Sequence, residues 1–556
     1  MHLAGDAFAI LLGYAIDDDG AWITAGDLAA RWRGEAPRAE VYDGYHVGVV
    51  YDGRHECRAG VDPLGLFPLH VTSGSADPAA PLVVATTPEA VAAHPAFAPR
   101  VDRTALAGIL LVHGPLDDRC LAAGVRRAAA GHHLRWTATR GLEQVRAYRP
   151  VGREPPPGES PADARRRIDL ILADTLRRHR PAGDDTALLL SGGLDSRLVA
   201  GVLADEGIPT RALVFGRSAD FEVRAGTAVA NALGMPCDVI STEDADAGFP
   251  ARARQIVRFG HLNSAPGGDD FAAGLALADA APAYVWSGIV FDWTFEPLNF
   301  ANGRDPRTGA WVFEMALDYM NRWGVPRREL PSLLGPDGLA LCDEVIGRLR
   351  AACTAGPAPP VIQSSLVRWD QRVRNHIATP LHDTTFVSWP LLPATDRRLV
   401  EAILGLPVAT YADRRLEAEI LLVRSPRLGS IPLDTNSFVF EPLPRGEGAS
   451  STLAKLAGKA RRTVCRWYWR RWRGFDPRRY ERLFNVDHPR WRAVRRAAEP
   501  LRPRLHSMLD PEAVDRILPR PEVATDFRNP VNHGGAIRLL LGLALWTDRP
   551  DVRAGR

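Results

Sequence analysis

The chain has 556 residues, 46% apolar and 24% charged, with 69 Lys+Arg against 66 Asp+Glu. That is a folding composition with room for several domains, and a net charge of +3 gives no argument for nucleic acid or a membrane surface as partner. The six cysteines lie far apart with no Cys-x-x-Cys pair, which excludes zinc-ribbon and thioredoxin-like readings and suits a reducing compartment.

Only Lys455 and Lys459 are lysines. A Walker A loop, which ends in Gly-Lys-Ser/Thr, is therefore excluded. The N-terminus lacks a basic region, and Asp6 and Asp17-Asp18-Asp19 interrupt its apolar stretch, so no signal peptide is read there. The longest apolar runs, 105–112 and 539–546, are too short to span a bilayer. The expectation is a cytoplasmic protein with no transmembrane segment.

Residues 1–150 read as β-rich, with short apolar runs such as 46–51 and 81–86 between Gly, Pro and Asp turns. The stretch 151–162, rich in Pro and Gly, reads as a linker. Beyond it Ile168, Ile171, Leu172 and Leu176 recur at helical spacing. Strands are expected at 186–190, 210–215, 237–241 and 283–286, with helices at 197–206 and 222–233 between them. Strand–helix–strand alternation of this kind argues an open parallel α/β sheet. From about residue 340 the chain reads as mostly helical.

The most informative segment is Leu189-Leu190-Ser191-Gly192-Gly193-Leu194-Asp195-Ser196, where an apolar strand runs through two glycines into a helix. Glycines let backbone N–H groups approach an anion closely, and the helix start adds partial positive charge. Ser191 and Ser196 offer hydroxyls. An acid at Asp195 beside an anion needs a divalent cation between them.

This loop resembles the signature of the asparagine-synthetase-like ATP pyrophosphatases, which form an acyl-adenylate and release pyrophosphate. Leu213-Val214-Phe215-Gly216 looks like that family's strand whose end contacts adenine, and Glu222 like its acidic residue at the next helix start. Ser287-Gly288-Ile289-Val290-Phe291-Asp292-Trp293-Thr294-Phe295 resembles its second motif, Ser-Gly-x-x-x-Asp-x-x-Phe. The resemblance implies ATP and Mg2+ as cofactors, with Ser287 and Gly288 near adenine and Asp195 and Asp292 as metal ligands. A third stretch, Ser388 to Glu401, resembles the family's Val-Pro-Phe-Leu-Asp-x-Arg-Leu-Val-Glu with an insertion. The resemblance covers roughly 163–401.

Residues 1–150 look like the family's class II glutamine amidotransferase domain, through Val61-Asp62-Pro63-Leu64-Gly65-Leu66-Phe67-Pro68-Leu69, Ala85-Thr86-Thr87-Pro88-Glu89 and Gly131-His132-His133-Leu134. An active domain of that kind uses a cysteine at the mature N-terminus as nucleophile. Here the second residue is His2 and the nearest cysteine is Cys57, so glutamine hydrolysis is not expected. The implied architecture is a degenerate Ntn-type sandwich (1–150), a linker (151–162), and a parallel α/β synthetase domain with a helical C-terminal part (163–556).

Without glutamine, the acceptor is ammonia or an amine carried by the substrate. Family members with a dead first domain include β-lactam synthetases and lasso-peptide macrolactam cyclases, which close rings. After the Ser-Gly pair, asparagine synthetases carry Glu and β-lactam synthetases Tyr; this chain has Ile289. The first expectation is a macrolactam cyclase acting on a precursor peptide, with a leader peptidase and a leader-binding protein as partners. The second is β-lactam formation or ammonia-dependent amidation of a small, amino-acid-derived substrate; the third is a nucleotide-binding scaffold without chemistry.

The family's adenylation lysine has no counterpart at 430–450, leaving Lys455 and Lys459 as displaced candidates and an arginine as the alternative charge. His382 and Asp383, with His376, are candidates for deprotonating the amine; Asp370 and Arg372 either line the pocket or pair on a helix. The segment 459–504 interleaves arginine with tryptophan. It reads foremost as a helix with Cys465, Tyr468, Trp469 and Trp472 on a core face, and next as a peptide-contact surface.

Overall fold

The computed structural model describes residues 1–32, 40–72, 82–94, 100–241, 248–258, 281–295, 310–356, 359–411, 414–433, 478–525 and 530–548, with isolated positions between them. The fold is mixed α/β.

The described residues up to 146 supply β1 (His2–Ala4), β2 (Ala7–Ile16), β3 (Asp43–Tyr51), β4 (Glu56–Val61), β5 (His70–Thr72), β6 (Val84–Ala85), β7 (Val125–Arg127), β8 (His132–Thr137) and β9 (Gly141–Arg146). They pair antiparallel in two sheets, ordered β1-β2-β3-β4-β8-β9 and β6-β5-β7. β3 is rich in aromatic and β-branched residues, which suit a pleated, packed surface.

The parallel sheet holds β10 (Thr186–Leu189), β11 (Arg211–Phe215), β12 (Cys237–Ile240), β13 (Tyr284–Trp286) and β14 (Trp389–Leu391), ordered β12-β11-β10-β13-β14. Ala187 pairs with Arg211 on one side and Val285 on the other. The chain winds outward from β10 through β11 to β12, then returns to place β13 on β10's opposite edge. The β10/β13 boundary is therefore the topological switch point, where open α/β sheets bind ligands beyond the carboxyl ends of their strands.

The four expected strands are all present, with ends moved by a residue or so. The helix after the glycine loop starts at Leu194 rather than residue 197, because Gly193 (φ −67°, ψ 178°) already serves as its N-cap. β14 is an addition: it comes from the stretch read only as a motif. Pro390 sits in this sheet-edge strand, where a missing N–H is tolerated. The run 105–112 lies in the buried helix Arg103–Val112, and 539–546 in the buried helix Gly535–Trp546. Among the described residues no helix is long and apolar enough to cross a membrane.

The stretch 151–160 is irregular, but it is pinned: Arg153 N–H donates to Glu401 O at 2.8 Å. The helix Pro161–His179 follows, capped by Ser160, and buries Ile168, Leu172 and Leu176 on one face. That face joins a continuous apolar core holding Tyr14, Tyr45 and Val61 from the antiparallel sheets and Leu188, Val214, Trp286 and Leu391 from the parallel one. Polar bonds reinforce the same seam. The Tyr14 hydroxyl meets His179 Nδ1 at 3.0 Å and accepts from Leu392 N at 3.0 Å. Asp43, in β3, takes Arg397 Nε at 3.0 Å.

The expected tryptophan core face at 459–504 is corrected. Tyr468 and Trp472 of that face are 48% and 68% exposed; Cys465, Trp469, Lys455 and Lys459 lie outside the described residues. Trp491 is buried in the helix Pro489–Ala498, its Nε1 donating to Leu483 O at 2.8 Å. Arg495 in that helix is buried too, and donates to the carbonyls of Arg520 and Val523. Main-chain acceptors and the Asp487 carboxylate, rather than solvent, take the two Nη atoms of this arginine.

Candidate active site

The glycine loop leaves β10 beside Gly226 of the helix Phe221–Leu233. Gly192 has φ +74°, and a Cβ there would come within 2.5 Å of Ala225 Cβ and Gly226 N. Only glycine fits both the backbone and the space. The two serines act within the loop: Ser196 Oγ lies 3.2 Å from Ser191 Oγ and accepts from Ser191 N, while Ser191 Oγ accepts from Gly193 N at 3.2 Å. Ser191 is exposed, whereas Ser196 is buried.

Arg197, the residue after the motif, was not foreseen. Its buried guanidinium donates to Gly192 O at 2.7 Å and to the carbonyls of Leu428, Ile431 and Pro432. The loop is thus clamped to the segment after the helix Arg415–Arg424.

The second motif lies against the first. A Cβ on Gly288 would stand 2.9 Å from Ser196 N and 3.0 Å from Asp195 Cβ, so the Ser287-Gly288 turn passes directly over the helix start. Ser287 is buried, and its Oγ accepts from Ile289 N at 3.2 Å. Val290 is 2% exposed with φ +67°. For a β-branched residue this is strained backbone, costing about 1–3 kcal/mol. It is held because the Val290 carbonyl accepts from Trp293 N, Thr294 N and Thr294 Oγ1. The turn delivers Asp292 to solvent at the start of the helix Phe291–Phe295.

Asp195 and Asp292 do come together electrostatically. Burial raises the Asp195 carboxyl above its ordinary range, Arg414 opposes this, and the Asp292 charge adds to it. Arg414 pairs with Asp195 and also with Glu417, its Nε 2.8 Å from Glu417 Oε2. Glu417 is wholly buried; that burial, countered by Arg414 and reinforced by Asp195, holds it well above the usual carboxylate range. Asp195 is its other side-chain partner. The site is an acidic triplet, Asp195, Asp292 and Glu417, around one arginine. Neither Arg414 nor Glu417 was singled out from sequence, although Arg414-Arg415-Leu416-Glu417 has the i,i+3 spacing of a helical ion pair.

The other expected residues divide. Leu189 and Phe215 end adjacent strands and are buried, both 8% exposed, in one small apolar cluster with Val285. Glu222 accepts from Arg479 N and Tyr480 N at 3.1 Å each, capping the helix Arg479–Phe484. His382 is 3% exposed between the rings of Phe67 and Phe386, and burial brings its pKa down to about 4. Asp383 is half-buried on the same helix, Thr379–Thr384. Asp370 pairs with Arg374 rather than Arg372. The region 434–450, searched for a lysine, lies outside the described residues.

The amidotransferase-like segment has a docking role. Asp62 accepts from Leu66 N and Phe67 N at 3.0 and 2.7 Å. Leu64 O takes Trp369 Nε1, and Gly65 O takes Arg374 Nε, both at 2.8 Å, from the π-helical segment Trp369–Ile377. Cys57 is half-buried, and burial raises its thiol to about 11, the reverse of what a nucleophile needs. His2 is exposed in β1.

No family model and no curated protein matches the sequence. Among solved structures the chain is similar to NMN synthetase from Francisella tularensis, with 17% identity and a TM-score of 0.21 over 40% of this chain and 96% of that one. A likeness of that size carries no weight for fold or activity.

Proposed function

We propose that the chain is an ATP-dependent synthetase that activates a carboxylate as its acyl-adenylate and couples it to an amine on the same substrate. The observation behind this reading is the meeting of two motifs at the switch point: the 191–196 loop and the Ser287–Asp292 turn, with Gly288 packed on Asp195 and Ser196. The substrate carboxylate attacks the α-phosphorus of ATP and pyrophosphate leaves. The amine then attacks the acyl carbon, AMP leaves, and the amine gives up a proton. The loop's backbone N–H groups and the helix start orient the phosphates, and Ser287 and Gly288 flank the base.

Among the described residues no three acidic, histidine or cysteine side chains are grouped to hold a metal ion; Asp195 and Asp292 are the hard oxygen donors that would take magnesium brought with the nucleotide. Bound between Asp195 and Asp292, that ion would neutralise charge on the departing pyrophosphate. Arg414 already stands at Asp195 and supplies fixed positive charge in a region with no lysine before residue 455.

The raised Cys57 thiol and Ile289 disfavour glutamine-derived ammonia and favour an intramolecular amine, with the macrolactam of a precursor peptide as the product we infer. Holding both ends of one substrate supplies much of the acceleration in such a closure. One observation favours a non-catalytic nucleotide-binding scaffold instead: Arg414 pairs with the acid that would hold the metal.

ATP–pyrophosphate exchange with candidate peptides separates the two. The synthetase reading expects exchange in the parent chain and its loss in Asp195→Ala and Asp292→Ala, with one water lost per peptide by mass spectrometry. Turnover unchanged in both variants sinks the site assignment.

A further inference from the structure

Near Asp292, two arginines project from successive turns of one helical rod. Arg368 ends the helix Pro360–Arg368, and Arg372 lies in the π-helical segment that continues it. Insertions of π-helix recur at functional sites because they re-aim side chains. Arg374, two residues on, turns to the antiparallel sheets and donates to Gly65 O. Arg372 does not: its guanidinium carbon lies 3.2 Å from the centroid of the Trp323 ring. Arg368 lies 5.7 Å from the centroid of Tyr319, one turn back along the facing helix Phe313–Asn321. Exposed Arg322 stands over both rings, at 5.6 and 5.2 Å.

Arg368 is 8% exposed and Arg372 half-buried. The Nη1 atom of each is buried with no hydrogen-bond partner. Among the described residues, neither guanidinium has a carboxylate or carbonyl acceptor. Other buried arginines of this chain are treated differently: Arg197 is met by four carbonyl bonds and Arg482 by a two-pronged pair with Asp220. Burying a guanidinium without an acceptor is unfavourable, and ring stacking offsets only part of that cost. The balance calls for an anion.

We propose that Arg368 and Arg372, stacked on Tyr319 and Trp323, form a carboxylate-binding subsite that seats a second acidic group of the substrate beside Asp292. The planar fork of arginine matches a carboxylate, and the aromatic walls hold the forks in place. Arg372 is held below its ordinary value by burial, with Tyr319, Tyr480 and Asp292 opposing, Arg368 adding, and His113 on the neighbouring helix end close enough to feel its charge. The occupant rests on the synthetase reading: the carboxylate that is activated and the one that is anchored are two different groups. The substrate class is therefore one with at least two acids, such as a peptide bearing an acidic side chain and a further carboxylate.

The test uses the full chain and succinate as probe, with sodium chloride at matched ionic strength as control. Succinate is expected to raise Tm in the parent chain, as any ligand of the native state does. Arg372→Met and the pair Arg368→Met/Arg372→Met are expected to abolish that rise while leaving the Tm in chloride unchanged or higher, since methionine keeps the packing and removes the unpaired charge. No succinate effect in the parent chain, or one that survives in the double variant, overturns the proposal. So does a lower Tm in chloride for both variants, which marks a structural role. With pyrophosphate in place of succinate, a shift that the double variant loses assigns the pair to the nucleotide's phosphates and overturns the carboxylate assignment. Asp195→Asn is expected to keep the succinate effect. Absence of pyrophosphate exchange alongside an intact succinate effect refutes the synthetase reading alone.

Discussion

Arg414 reaches Asp195 from a left-handed backbone, with φ +59°, at the N-terminus of the helix Arg415–Arg424. A non-glycine residue is strained there, so the surrounding contacts hold it. The guanidinium is the only positive charge described against Asp195 and Glu417, and those two acids with Asp292 hold Arg414 above its usual value despite its burial. Arg414→Met leaves two acids facing each other, one wholly buried. Breaking a buried pair this way costs about 3–5 kcal/mol. Urea denaturation is expected to show a loss of that size in Arg414→Met, and recovery of most of it in Arg414→Met/Glu417→Gln. A fully stable single variant removes Arg414 from the charge balance of the site.

Arg197 ties Gly192 of the glycine loop to a distant segment through four carbonyl acceptors. Each acceptor stranded by truncation costs about 1–3 kcal/mol, reduced where water re-enters. Arg197→Met is expected to lose about 3–5 kcal/mol in the same denaturation experiment. Arg197→Lys recovers less than half, because one ammonium cannot span the fork's partners. Equal stability of the lysine variant and the parent contradicts the clamp.

His382 sets a pH limit. Its folded pKa is about 4, lowered by burial and then by the charge of Arg127, against an ordinary value of 6.5. The unfolded chain therefore binds the proton more readily. The histidine's contribution is fully present above pH 6.5 and is lost as pH falls from there towards 4, amounting to roughly 3 kcal/mol. His133, also at about 4 through burial and then Arg58, and His46, at about 3 through burial and then His133, act with the same sign. His382→Gln is expected to flatten the fall in Tm between pH 7 and 5 by one proton's worth. An unchanged slope shows that this ring is already accessible to protons.

Local patterns were legible in the sequence, and long-range partners were not. The apolar strand, the two glycines and the next helix could be read at 186–205 because each signal is a few residues long. So could the face formed by Ile168, Leu172 and Leu176. β14 was hidden because Trp389-Pro390-Leu391 is too short and too proline-marked to read as a strand; only its pairing with β13 makes it one. Arg197 and Arg414 were missed because the partners that bring them to the site, Leu428 to Pro432 and Asp195, lie 231–235 and 219 residues away. Glu222 was read for chemistry and caps a helix over 250 positions downstream, at Arg479. The exposed rings of Tyr468 and Trp472 fail the core-face reading because helical spacing tells which residues share a face, not what covers it.

The seam around Tyr14 bears on how the chain can be taken apart. Its hydroxyl is bonded from both directions, and the apolar core runs through it without a break. A protease cut within 151–160 severs the connection but none of these contacts, so the two fragments should stay together and elute as one particle. Deleting the first 150 residues is a different operation. It opens Trp369, Arg374 and the Leu391–Leu392 strand end to water, and turns an interior into a surface. The first 150 residues are then a wall of the other part's interior rather than an appendage to it.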